Sequence, residues 1–366
     1  MSAAVKREPA VRIVKRDSIP RWKSWGIRLL SVVLALILSG LFIFAVTKLN
    51  PIQVYVEMYS GALGTTNRTW TTIRDTMMLL CIGVGLAPAF KMRFWNIGAE
   101  GQVLVGGLAT ALVMVACGNT LPTPVLFLVM FVTSIAAGAV WGFVPAYFRA
   151  KWGTNETLFT LMMNYVATSI VACIVNILRG QASSLGKLNM GTQAGWFPAF
   201  LGQRYNINIL VVAILTVLMF LYLKYSKHGY EISVVGESEN TARYAGINVK
   251  WVRIRTMLIS GAVCGLAGFL IVAGRDQTIS TNTAGGQGFT AIIVAWLAKF
   301  NTFYMALISF LLIFLSRGAS EIASAYSLND YASDIITGVI LFCILGSEFF
   351  INFRLIFRGK RQKEVK

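Results

Sequence analysis

FTAIIVAWLAKFNTFYMALISFLLIF, residues 289–314, is the stretch on which the helix count turns. A helix that crosses a membrane needs about 20 apolar residues to span roughly 30 Å of hydrocarbon. This run is too long for one ordinary span and is interrupted by Lys299 and Asn301. Two shorter helices on either side of that polar break are expected. Outward from it, apolar runs at 27–47, 73–90, 97–117, 124–148, 157–178, 207–224, 256–274 and 333–352 each have the length of a span. The expected total is ten helices, and it falls to eight if 289–314 forms one strongly tilted helix or a re-entrant hairpin.

The composition agrees with an all-α, polytopic membrane protein. The 366 residues are 56% hydrophobic and 13% charged, with a mean hydropathy of +0.66, whereas a soluble domain is about a quarter charged. A net charge of +18 would suggest nucleic acid in a soluble chain. Here the basic residues cluster at span ends with no aromatic-lined basic groove, so they report orientation, and no nucleic-acid partner is expected. They concentrate in three places: the N-terminal tail (Lys6, Arg7, Arg12, Lys15, Arg16, Arg21, Lys23, Arg28), the segment from Lys224 to Arg255, and the C-terminal tail (Arg354, Arg358, Lys360, Arg361, Lys363, Lys366). Both termini and the 225–255 segment are therefore expected in the cytoplasm, which requires an even number of spans. The organisation read from this is a basic tail over 1–26, a transmembrane domain over 27–352 and a second basic tail over 353–366. No small-residue cleavage site follows the first apolar run convincingly, so that run is read as retained. The longest outward loop is RGQASSLGKLNMGTQAGWFPAFLGQRYN, 179–206, turn-rich and solvated in composition. In it Trp196, Phe197 and Pro198 form a small amphipathic patch suited to interfacial anchoring or to docking an external partner.

Several enzyme chemistries are excluded. Cys81, Cys117, Cys173, Cys264 and Cys343 lie far apart with no CxxC pair, so no metal site is expected and the thiols read as inert. His228 is the only histidine and sits in a basic loop beside Gly229, a poor setting for a Ser/His/Asp triad. No GxxxxGK[ST] sequence occurs, so ATP hydrolysis by this chain alone is not expected.

Three polar stretches interrupt the apolar background. In KMRFWNIGAEGQVLVGGLATALV, 91–113, Asn96 is expected to cap a helix, with Glu100 in its first turn and Lys91 and Arg93 near enough to pair with it. Gly98, Gly101, Gly106 and Gly107 leave that helix thin, for close helix packing or for a polar solute. In GTNETLFTLMMNYVATSI, 153–170, Thr154 or Asn155 is a cap and Glu156 a first-turn anion. Asn164 lies about two turns in, too deep for a cap, where a neighbouring helix or a solute must satisfy it. In GESENTARYAGINVKWVRIR, 236–255, Ser238 is expected to cap a short helix that presents Ala242 and Ala245 on one face and ends at Gly246. A small-residue face on a short cytoplasmic helix suits a groove on another protein. Gly285, Gly286 and Gly288 in TAGGQGF read as a hinge or helix start. Asp276, Asp330 and Asp334 fall near outer span ends, where water makes a carboxylate cheap.

FWNIGAEGQVLVGG at 94–107, TNETLFTLMMNYVA at 154–167, GESENTARYAGIN at 236–248 and GGQGFTAIIVAWLAKFN at 285–301 together resemble the permease subunits of bacterial ABC importers for nucleosides and simple sugars. The similarity runs in order from about 70 to 350, and the NIGAEGQ block is closer to the nucleoside branch. The resemblance implies a second, related permease as partner (commonly a heterodimer), a separate ATP-binding subunit that carries ATP and Mg, and an extracytoplasmic substrate-binding lipoprotein or protein. No cofactor is implied on this chain. It also implies residence in the bacterial cytoplasmic (inner) membrane and inward transport of a nucleoside or related neutral polar solute by alternating access, with a monosaccharide or riboflavin as alternatives. On this reading Asn96, Glu100, Gln102 and Asn164 belong to the solute path, and Glu237, Ala242, Arg243, Tyr244 and Gly246 to the coupling segment that meets the ATPase. Trp95, Trp296 and Lys299 depart from the small residues common at their positions in the family. A rival reading, an ion-coupled transporter or channel without an ATPase, calls for well-buried titratable residues, and only Glu100 and Glu156 approach that.

Overall fold

The computed structural model describes residues 11–16, 20–48, 50–180, 182–326 and 330–357. The helices in chain order are α1 (Arg21–Thr47), α2 (Pro51–Leu63), α3 (Thr66–Lys91), α4 (Ala99–Cys117), α5 (Thr123–Trp152), α6 (Glu156–Arg179) and α7 (Asn206–Tyr225). They continue as α8 (Lys227–Glu237), α9 (Glu239–Tyr244), α10 (Val249–Leu270), a π-helical extension (Ile271–Asp276), α11 (Gln287–Leu297), α12 (Thr302–Ala325) and α13 (Asp330–Asn352). Among the described residues nine helices are long and apolar enough to cross a membrane, and α11 is a shorter apolar helix. The chain is a multi-pass, all-α membrane protein.

All eight expected runs lie on span-length helices, and 289–314 divides where the sequence indicated. Lys299 and Phe300 both take positive φ (50° and 62°) between α11 and α12, and the Asn301 side chain accepts from Phe303 N–H at 3.0 Å to start the next helix. The second piece is not short, because α12 runs on to Ala325. By contrast α11, at 11 residues, is about 16 Å long, roughly half of a hydrocarbon core.

Two compact units are present. The larger, residues 65–313, is built around α3 and α10, whose apolar windows are 89% and 83% buried, against 28%, 28% and 22% for α5, α6 and α7. The first pair forms the centre and the other three face outward. Glycine makes the central contacts possible. On α10, Gly261 and Gly265 meet the backbone of Gly138 on α5, and Gly106 of α4 packs onto Gly265. Helices pack this closely without side chains between them because lipid supplies no hydrophobic drive for helix association, so contact area and dispersion carry the packing. The long loop after α6 folds back as a cap: Leu185, Leu188 and Phe197 N–H donate to Ile279, Gln277 and Ala273. Its Phe197 ring lies 5.5 Å from Phe127 and 5.3 Å from Phe269, and Trp196 Nε1 donates to Leu188 O at 2.8 Å. Trp196 and Phe197 of the expected patch are thus half-buried, the Phe197 ring covering the ends of α5 and α10, while Pro198 stays exposed.

The smaller unit comprises residues up to 64 and from 314 onward. Its core gathers Ala35 and Ile43 of α1, Val54 and Met58 of α2, Ile322 of α12, and Ile336 and Ile340 of α13. Part of each expected tail is ordered: β1 (Val11–Lys15) pairs antiparallel with β2 (Phe353–Phe357), from Val11↔Phe357 to Lys15↔Phe353. Lys6, Arg7, Arg358, Lys360, Arg361, Lys363 and Lys366 lie outside the described residues.

Candidate functional site

Between α3 and α4 the chain runs without helix from Met92 to Gly98, turning at Arg93 (φ 58°). Backbone groups exposed by such a break need partners inside the bundle, and side chains supply them. Asn96 Oδ1 accepts from Gly98 N–H at 3.0 Å. Thr160 Oγ1 accepts from Ile97 N–H at 3.1 Å. Asn164 accepts from Gly101 N–H at 2.8 Å and donates to Ile97 O at 2.9 Å. Thr160 and Asn164 are one turn apart on α6, so a single helix face stitches the start of α4. Asn96 Nδ2 also donates to Gln102 Oε1 and to Ser260 Oγ of α10, both at 3.3 Å. Asn96, Gln102, Asn164, Thr160 and Ser260 are all buried.

Glu100 lies in the first turn of α4, as expected. Its partners differ from the expected ones. The carboxylate accepts from Gly286 N–H at 2.7 Å and from Gly288 N–H at 2.8 Å, the opening amides of α11, while Lys91 Nζ donates to Leu223 O at 3.2 Å. Unpaired N–H groups at a helix start, reinforced by the helix dipole, hold an anion without a cation. Gly288 must lack a side chain, because a Cβ there would lie 2.7 Å from Glu100 Oε2. The TAGGQGF glycines form the start of α11, with Gly285 and Gly286 at φ 58° and 74°. Two helices that begin after irregular backbone, α4 and α11, therefore meet start to start at one carboxylate.

Asn96 does not cap α4; Gly98 holds that position, and Asn96 makes a turn two residues earlier. The expected packing glycines all touch a neighbour. A Cβ would meet Thr160 at Gly98, Asn164 at Gly101, Gly265 at Gly106, and Val272 and Ile279 at Gly107. Gly138, Gly142, Gly261 and Gly265 were not singled out from the sequence, although each pair has the G-x-x-x-G spacing that marks close helix contact.

A second constellation surrounds α9. Ser238 caps it by accepting from Thr241 N–H at 3.3 Å, and Gly246 ends it at φ 75°, both as expected. The two alanines part company: Ala242 is fully buried and Ala245 exposed, because the six-residue helix ends before a shared face can form. Tyr244 is 93% exposed; its neighbour Arg243 and, at the end of α8, Glu237 are also exposed. The base of this tip is firmly attached. Arg253 of α10 is ion-paired with Glu239, Arg255 with Glu231 at 2.8 Å, and Arg149 with Glu156 at 3.2 Å. Asn155 caps α6 through Leu158 N–H. Gly236, near the end of α8, lies directly against the carbonyl of Lys91, where a Cβ would collide.

Opposite α9, Arg74–Asp75 forms a buried pair at 2.8 Å, and Arg275 bridges both Asp276 oxygens at 2.8 Å while donating to Thr283 O at 3.0 Å. Asp276 is thus held by a guanidinium. The side chains of Asp330 and Asp334 lie outside the described set.

Residues 69–345 match the model of a family described as branched-chain amino acid transport system / permease component. The chain is 30% identical to the guanosine ABC transporter permease protein NupP of Bacillus subtilis over 92% of this chain and 96% of that protein. It is 27% identical to the glucose ABC transporter permease protein TsgB13 of Haloferax volcanii, over 93% and 92% of the two chains. It is 25% identical to the nucleoside ABC transporter permease protein NupB of Lactococcus lactis, over 86% and 89%. The chain belongs to this permease family.

Proposed function

We propose, from that membership, that this chain is the membrane-spanning subunit of an ATP-driven importer that carries a nucleoside or a related neutral polar solute into the cell by alternating access. The observation that carries the reading is the α9 tip: a fully exposed Tyr244 beside Arg243, on a base tied to α10 by Glu239–Arg253 and to α3 by the Gly236–Lys91 contact. Such a tip receives a push from outside the membrane and passes it to the two central helices. The tip docks on a separate ATP-binding subunit that holds ATP and Mg and performs the hydrolysis, and this chain carries no cofactor of its own. A second, related permease completes the channel, and an extracytoplasmic binding protein delivers solute. The assembly sits in the lipid of a bacterial cytoplasmic membrane with α9 and both termini inside. The pairing of β1 with β2 supports termini on one side of the membrane.

In this reading Asn96, Glu100, Gln102 and Asn164 bound the solute path by fixing the starts of α4 and α11 beside it. Discontinuous helices whose ends converge at membrane depth are a recurrent way to build a transport site. Glu237, Ala242, Arg243, Tyr244 and Gly246 form the coupling segment, Ala242 as its buried anchor. A monosaccharide or riboflavin would suit the same architecture. Reconstitution with its ATPase in proteoliposomes tests the reading: ATP-dependent guanosine uptake that collapses in Tyr244→Ala supports it. Gradient-driven uptake by the chain alone, with no need of ATP, sinks it.

A further inference from the structure

Two tryptophans, Trp95 and Trp296, stand together. Trp95, on the irregular approach to α4, and Trp296, in the last turn of α11, stack at 5.1 Å between ring centroids with planes 23° apart. Phe90 meets both edge-on, at 6.1 and 6.3 Å, and Phe300 abuts Trp296 at 5.7 Å. Each indole nevertheless remains 44% exposed. Both indoles line a cleft of about 580 Å³ that is lined also by Lys91 and Arg93 and, from α8, by Ser233 and Glu237. Indoles also serve as anchors at the lipid interface, but these two stack on one another and line a cleft. A concave cleft of several hundred Å³, apolar with a few polar groups opposite, has the form of a small-molecule site.

We infer that this cleft binds the flat heteroaromatic ring of the transported solute, at the end of the path nearest the coupling segment. The inference rests on the importer reading above and narrows its substrate class. Exposed indole faces favour a planar π system, and base-on-aromatic stacking is insensitive to which ring is present. Glu237 on α8 offers an acceptor, and Lys91 and Arg93, from the segment that carries Trp95, offer donors, a mixed set that suits an uncharged ring edge with both donors and acceptors. The wall can also move with the motor. Gly236 lies in α8 between the cleft and α9 and touches Lys91, so displacement of α9 shifts Glu237 relative to Trp95 and changes the grip on the ring.

The test uses the assembled transporter in lipid nanodiscs with an azidopurine nucleoside as photoprobe. Label is expected on peptides containing Trp95 or Trp296, with protection by guanosine and riboflavin and none by glucose. In proteoliposomes Trp296→Ala should raise the KM for guanosine roughly ten- to hundredfold, while Trp296→Phe stays within about threefold because a ring face remains. Label elsewhere, protection by glucose, or equal kinetics in the Ala and Phe variants overturns the cleft assignment and leaves the importer standing. Absence of any ATP-driven uptake in the wild type would instead remove the importer reading.

Discussion

The start of α4 and the tip of α9 are both rich in polar side chains, yet they solve opposite problems. At the start of α4 the buried amides of Asn96, Gln102 and Asn164 have partners within the same chain. At the tip of α9, Tyr244 is 93% exposed and Arg243 pairs with Glu239 at 3.9 Å. Polar residues that close on one another fix a shape, because an unsatisfied group in a dry interior costs about 1–3 kcal/mol. Polar and aromatic residues left open add little to the fold and are available to a partner. Stability and coupling should therefore separate by mutation.

The contrast breaks most severely at the glycine contacts beneath the closed cluster. Gly265→Val forces a side chain into the backbone of α5, a misfit worth about 3 kcal/mol or more, and size-exclusion chromatography in mild detergent should recover little monodisperse protein. Next, Asn164→Leu strands Gly101 N–H and Ile97 O, so a loss of about 2–5 kcal/mol is expected; a melting temperature unchanged from wild type would show that water replaces the amide. Glu100→Gln keeps an oxygen acceptor for α11 but gives up the charge, for about 1–2 kcal/mol, measurable as greater protease sensitivity of the 277–290 loop. On the open side, Gly246→Ala strains a left-handed turn by about 1 kcal/mol, visible as faster amide exchange across 239–247. Smallest in stability is Tyr244→Ala, within about 0.5 kcal/mol, although ATP-driven uptake should be lost; a variant that melts early would put Tyr244 in the closed class.

The eight apolar runs were legible because span length and hydropathy are local properties, and Lys299 with Asn301 announced the break between α11 and α12. Ser238 and Gly246 likewise declared the ends of α9, since capping depends on a few adjacent residues. Helices α2 and α8 were not recognised: at 13 and 11 residues neither has the length of a span, and α8 lies in a segment that reads as a charged connector. The partners of Glu100 were out of reach for another reason. Gly286 lies 186 residues further along the chain, whereas Lys91 and Arg93 were near in sequence and misleading. Burial separated Ala242 from Ala245 for a similar reason, since only the tertiary arrangement decides which side of a single helical turn faces inward.

The contact between Glu100 and the first amides of α11 also bears on what the path can accept. A free helix start is a ready anion site, and two such starts facing a channel would draw in phosphates and carboxylates. Here one of them is already neutralised by the chain's own carboxylate, held through both oxygens. An arriving anion would find the amides occupied and a negative charge in the place where a positive end would otherwise stand. On the importer reading, that helix start would serve as a charge filter, turning a feature that elsewhere captures nucleotides into one that favours their uncharged counterparts.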